Sequence, residues 1–249
     1  MNEVDLRLLC TITQGTAHQH MPPWANLTAN PVRSIVRNAG NLAGPGIYAC
    51  FWDGALIYIG SYSGISSDPF GGHVIERAYK HIVGFTLRSD RLFFKNGPLR
   101  NIVGRLDHPI ARDLEQASQR GSRVYSEGGA DNALGANGAI CATENKANFA
   151  SRHWDVLRDA KPEDLFDHIG FAYRRIAPPE GILSKKIIKD SWIEAIENRL
   201  IATFEPTCNT KGRRGPDGIP ATLEQVSQEL DVATTEVLAK LMPLSLADA

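Results

Sequence analysis

Two tyrosines lie where a hairpin would pair them, and an arginine and a histidine lie four residues apart. Tyr48 and Tyr58 each lie in an apolar, aromatic run, and Phe51-Trp52-Asp53-Gly54-Ala55 separates them. Asp-Gly between hydrophobic runs predicts a β-hairpin, because a two-residue turn needs positive φ at both central positions. Such a hairpin would set the two tyrosines on neighbouring strands, close enough for both hydroxyls to line one site. Arg77 and His81 are four residues apart and share a face if that segment is helical. A permanently charged guanidinium can grip a phosphate through two hydrogen bonds. A phenol with an ordinary pKa near 10 is a poor base at neutral pH unless positive charge stands beside it.

A carboxylate must come from elsewhere. In residues 183–204, Ile187, Ile188, Trp192, Ile196, Leu200 and Ile201 recur at helical spacing. Glu197 falls at the edge of that apolar stripe, where a hard oxygen ligand would suit Mg²⁺, an ion commonly held by one or two carboxylates plus water and phosphate. Glu194 is a competing candidate and Glu205 a third; the usual fate of a helical glutamate is simply to be solvated. Gly60 would let backbone or substrate approach where a side chain would obstruct.

Taken together, Gly46-Ile47-Tyr48 and Tyr58-Ile59-Gly60 resemble the signature of the GIY-YIG nuclease family. Arg77-x-x-x-His81 is similar to the arginine and histidine on the helix that follows the hairpin in some of its branches. Glu197-Asn198-Arg199-Leu200-Ile201, then Pro206 and Asn209, resembles the family's E-x-x-L-I followed by proline and asparagine. The resemblance implies an α+β fold, a small antiparallel three-stranded sheet flanked by helices. It implies a metal-dependent endonuclease that hydrolyses DNA phosphodiester bonds, double-stranded and restriction-type. Catalytic roles fall on Tyr48, Tyr58, Arg77, His81, Glu197 and Asn209, with Gly46 and Gly60 structural within the site. Tyr48 is the first candidate for the base and Tyr58 the second, His81 sharing the proton path. Glu197 would hold Mg²⁺ or Mn²⁺, and Asn209 would position Tyr48 or the phosphate. Three features depart from the family pattern: Ser61 where many relatives carry lysine, a long stretch from Gly60 to Arg77, and a large insertion at about 82–168. A repair or mobile-element nuclease, and a non-catalytic nucleic-acid-binding protein, are the alternatives.

The rest of the chain sets the frame. At 249 residues, with 43% hydrophobic and 22% charged residues, it can bury one sizeable core or a core plus a small appendage. The organisation expected is an N-terminal elaboration over 1–43, a nuclease domain over 44–211 and a helical C-terminal appendage over 216–249. Within the elaboration, Asn30 and Pro31 suggest the start of a short helix. Helices are also expected at 74–81, 99–119 and 148–157, and a strand at 169–176. The appendage has the cadence of two short helices joined at 231–233. Net charge is −1, so DNA binding would depend on local basic clusters. Lys80 and Arg88 fall in one, Arg174 and Arg175 in a second, and Lys211, Arg213 and Arg214 in a third. Four scattered cysteines without a C-x-x-C pair, no secretory leader and no bilayer-length apolar run predict a cytoplasmic protein without membrane association. A homodimer is compatible with the sequence.

Overall fold

The computed structural model describes the chain except for residues 18–22, 38, 66–67, 69, 90–91, 96–123, 126–139, 178–191, 210–218 and 246–249. The strands in chain order are β1 (Asn2–Val4), β2 (Cys10–Gln14), β3 (Leu27–Pro31), β4 (Gly46–Trp52), β5 (Ala55–Tyr62), β6 (Leu92–Lys95), β7 (Val124–Tyr125), β8 (Ile140–Ala142) and β9 (Ile169–Arg175). Two compact units share the chain. The first takes Met1–Asp5, Arg33–Ile75 and Ile169–Ala249, the second Leu6–Val32 and Glu76–His168. The segment expected as one N-terminal elaboration is therefore divided between them.

The first unit is built on the hairpin. Asp53 and Gly54 both have positive φ, 48° and 78°, the turn that matches the right-handed twist of paired strands. The antiparallel sheet has the order β1-β9-β4-β5, four strands rather than three, because Asn2–Val4 adds to the outer side of β9. A bulge between Cys50 and Phe51 lets Phe51 face Leu56 across the hairpin. Ile47, Ala49, Phe51, Leu56, Ile59 and Ala172 form one face. They pack against Ile196, Leu200, Ile201 and Phe204 of the Glu194–Phe204 helix and Val226, Leu230 and Ala233 of the Leu223–Ser245 helix. Glu205 ends the first of these helices in the left-handed conformation, φ 44°, with its N–H donating to the carbonyl of Ile201, and Pro206 follows.

The C-terminal segment corrects the expectation of two helices. Leu223–Ser245 is one continuous helix. No glycine or proline interrupts 231–233, and Val226, Leu230 and Ala233 form a single buried stripe through that point. Exposed Asp231 bonds Arg174 of β9, so the residue expected to break the helix fastens it to the sheet instead.

In the second unit, β2 and β3 form an antiparallel hairpin, and β7-β6-β8 form a parallel sheet. Pro31 ends β3 instead of starting a helix; the short helix that follows, Arg33–Arg37, belongs to the first unit. All but the first residue of the Ile75–Thr86 helix lies in the second unit, longer than the 74–81 expected. The 148–157 segment is two helices, Glu144–Arg152 and Trp154–Leu157, with Trp154 buried as expected. The helix expected at 99–119 lies outside the described residues, as does the 183–191 part of the long amphipathic pattern.

Candidate functional site

Register and alternation lay out the second face of the first unit's sheet in rows. Tyr48 of β4 lies opposite Gly60 of β5 and opposite Tyr173 of β9. One row away, Cys50 is flanked by Tyr58 and Phe171; on the other side Gly46 is flanked by Tyr62 and Arg175. Because side chains alternate between faces, these residues project away from the helices that cover Ile47, Ala49 and Ile59. Tyr48 stacks between Tyr58, with ring centroids 6.1 Å apart, and Phe171 at 5.7 Å. Both tyrosines are 3% exposed.

The two glycines of the triplets are required by these rings. A Cβ on Gly60 would come within 2.8 Å of Cε2 of Tyr48 and closer still to its hydroxyl. A Cβ on Gly46 would meet the Tyr173 hydroxyl at 2.7 Å. Each glycine is thus the floor beneath a tyrosine on the adjoining strand. The Tyr173 hydroxyl donates to the carbonyl of Gly44 at 2.6 Å. Burial raises its pKa well above the ordinary phenol value, Tyr62 adds to the shift and Arg175 opposes it, so this phenol acts as a neutral donor.

Glu197 reaches the same edge strand from the helical side. Ser61, next to Gly60, donates its hydroxyl proton to Glu197 Oε2 at 2.5 Å, and Ser61 faces Ile47 on the face packed by helices. The carboxylate and the phenols therefore approach β5 from opposite faces, one residue apart along the strand. Among the described residues no group of three or more His, Cys, Asp or Glu is placed to hold a metal ion, so a cation here would rest on Glu197 as its one carboxylate.

Asn209 is buried and clamps β5. Its Oδ1 accepts from the Ile59 N–H at 2.8 Å and its Nδ2 donates to the Ile59 carbonyl at 2.7 Å. The Cys208 N–H donates to Ile57 at 2.8 Å, so this turn covers the outer edge of β5 as far as Ile59. The side-chain amide imitates a neighbouring strand; the contact the structure describes is with backbone, where sequence reasoning expected Tyr48 or a phosphate.

Arg77 and His81 belong to the second unit. Arg77 is half-buried. His81 is 1% exposed and stacks on Phe85 with centroids 5.3 Å apart. Burial, with the charges of Lys146 and Arg77, holds its pKa well below the usual imidazole value, so it is neutral. Lys80 corrects an expectation: it is not a solvated cation on a DNA-facing surface but a buried one, bonded at 2.9 Å to Glu76 one turn earlier. Arg88 is likewise 1% exposed, its guanidinium donating to the carbonyls of Trp24, Leu157 and Ala160 and to Asn26. In the first unit Arg174 pairs with Asp231, whereas Arg175 is exposed on the tyrosine face. Lys211, Arg213 and Arg214 lie outside the described residues.

Sequence reasoning missed Tyr173, Tyr62 and the hydroxyl of Ser61 as a carboxylate partner. Alternation within β9 could have placed Tyr173 and Arg175 on one face. Only the pairing of β9 with β4, about 125 residues apart in sequence, sets them beside Tyr48 and Gly46. No family model, no curated protein and no solved structure matches this chain.

Proposed function

We propose that this chain is a GIY-YIG-type endonuclease that hydrolyses phosphodiester bonds of double-stranded DNA, restriction-type, with Mg²⁺ or Mn²⁺. The observation that carries the reading is the floor at Gly60, with the Tyr48 hydroxyl above it and Glu197 held by the adjoining Ser61. Cys208 and Asn209 bond the edge of β5 at Ile57 and Ile59, and Gly60 itself offers no side chain to separate the two faces. A phosphate seated over that edge can meet the phenol from one side and the carboxylate from the other. This replaces the single pocket expected from the sequence: the phenols and the carboxylate do not share one face of the sheet, so the reading now depends on a phosphate that straddles the edge of β5.

In this reading the phenolate form of Tyr48, which needs the positive charge of a bound cation beside it, would accept the proton of the attacking water, directly or through Tyr58, and Gly60 admits the phosphate close to the backbone. The donor set fits a hard cation: Glu197 with the Ser61 hydroxyl beside it would hold Mg²⁺, which keeps several waters and needs few protein ligands. When bound, the ion supplies stabilisation of charge on the phosphoryl oxygens.

The test is cleavage of supercoiled plasmid DNA in Mg²⁺ by the wild type, Glu197→Ala and Glu197→Gln, with circular dichroism to confirm folding. The expected loss is roughly a thousandfold in rate for both variants, the scale of removing a group that stabilises transition-state charge. Cleavage at the wild-type rate by either folded variant would remove Glu197 from the chemistry. Activity surviving in Arg77→Ala would remove Arg77 from the chemistry.

A further inference from the structure

At the end of the same face, beyond Tyr48, lies a second set of polar groups that the proposed chemistry does not use. Tyr62, Gly46 and Arg175 form one row across β5, β4 and β9, with glycine in the middle. The space over Gly46, between the tyrosine and the arginine, is filled by the ring of Tyr173. The tips of both flanking residues meet one knot of backbone. A Cβ on Gly44 would lie 3.0 Å from Nε of Arg175, and one on Gly72 would collide with the Tyr62 hydroxyl. Gly44 and Gly72 are themselves joined, the N–H of Gly44 donating to the carbonyl of Gly72 at 3.1 Å, and both have positive φ, 88° and 71°. The Tyr173 hydroxyl fixes the Gly44 carbonyl from beneath.

One contrast points to a ligand at this knot. Neighbouring arginines on β9 have opposite fates: Arg174 is paired with Asp231 at 2.5 Å, while the guanidinium of Arg175 is exposed and makes no ion pair or hydrogen bond with any described residue. A charged fork beside a hydroxyl matches two needs of a phosphate, charge and hydrogen bonds.

We propose that Arg175 and Tyr62, over the Gly44–Gly72 junction, form a subsite for a DNA backbone phosphate next to the one cut at Gly60. The assignment rests on the nuclease reading and adds to it a register: one row of the sheet separates the two phosphate positions. Arg175 supplies the charge and Tyr62 the orientation.

The test is fluorescence anisotropy of a labelled DNA duplex with the full chain in EDTA, where no cleavage occurs, over a series of salt concentrations. Arg175→Ala should bind roughly tenfold more weakly, the scale of one charge-assisted hydrogen-bonded contact. Its slope of log affinity against log salt should fall by about 1, one phosphate's worth of released counterions. Arg175→Lys should keep the slope and lose part of the affinity. Tyr62→Phe should weaken binding severalfold with the slope unchanged. Arg7→Ala, on the exposed Arg7–Asp167 pair of the second unit, serves as a charge-loss control that should match the wild type. A wild type that binds and cuts while Arg175→Ala matches it in affinity and slope overturns the subsite alone. A wild type that neither binds nor cuts DNA overturns the nuclease reading, and the subsite with it.

Discussion

The tyrosine face of the first unit and the basic run of the second unit both suggest chemistry in sequence, and they fold to different ends. On the sheet, Tyr48, Tyr58, Gly46 and Gly60 become a ruled array in which each glycine carries a tyrosine ring from the next strand. In the second unit, Lys80, His81 and Arg88 turn inward, each at or below 7% exposure. A turn that fixes register, combined with strict alternation, converts sequence position into geometry with little freedom left. A run of cations carries no such constraint, because long side chains go wherever carbonyls and rings can receive them. The lesson is that spacing constrains a site only when backbone pairing enforces it.

The sharpest way to test the second half of that contrast is to remove its most deeply engaged cation. Arg88 ties three carbonyls and Asn26 together from the core of the second unit. Arg88→Met keeps much of the volume and deletes every donor. Buried carbonyls left without partners should cost about 3–5 kcal/mol in total, read from urea unfolding. A loss below about 1 kcal/mol, the usual scale of a surface substitution, would return Arg88 to the solvent-facing role its sequence context suggests.

The other half is tested with a single methyl group. Gly60→Ala puts a Cβ where the Tyr48 ring and hydroxyl now lie, and the ring, stacked between Tyr58 and Phe171, has little room to yield. Overpacking of this kind costs about 1–3 kcal/mol, less than Arg88→Met. DNA cleavage, however, should be lost in a protein that is still folded at 25 °C. A variant that cuts DNA at the wild-type rate would separate the array from the chemistry, whatever its stability.

How far the fold was legible follows the same division. The hairpin was readable because Asp53-Gly54 and the alternating runs agree, and the helix ending at Phe204 because Ile196, Leu200 and Ile201 keep a helical period. The strand of three residues at Asn2–Val4 has no signal of its own; it exists because β9 offers an open edge. The continuity of Leu223–Ser245 was hidden by Asp231, a residue common in turns, whose actual role depends on Arg174 from a distant strand. Within the site, residue types were legible and long-range neighbours were not. Asn209 illustrates this: its amide is spent on Ile59, 150 residues away, a contact no local pattern announces.

The smallest effect comes from His81, and it separates burial from surface placement by its dependence on pH. Burial, reinforced by Lys146 and Arg77, holds the folded imidazole neutral well below its ordinary pKa of 6.5. The unfolded chain has no such restraint and takes up a proton near that value. Below pH 6.5 the unfolded state therefore binds more protons than the folded one, and stability falls as pH drops towards the depressed folded pKa. Above about pH 7.5 this contribution is fully present and flat. The limiting slope for one group is about 1.4 kcal/mol per pH unit. His81→Leu deletes the titrating group while keeping an apolar contact for Phe85, so the difference in stability between variant and wild type should shift in favour of the variant as pH falls from about 7.5 to 5.5. Parallel urea curves for the two proteins across that range would mean that His81 titrates as a solvated residue does. The second unit's run would then resemble the exposed basic surface that its sequence suggests.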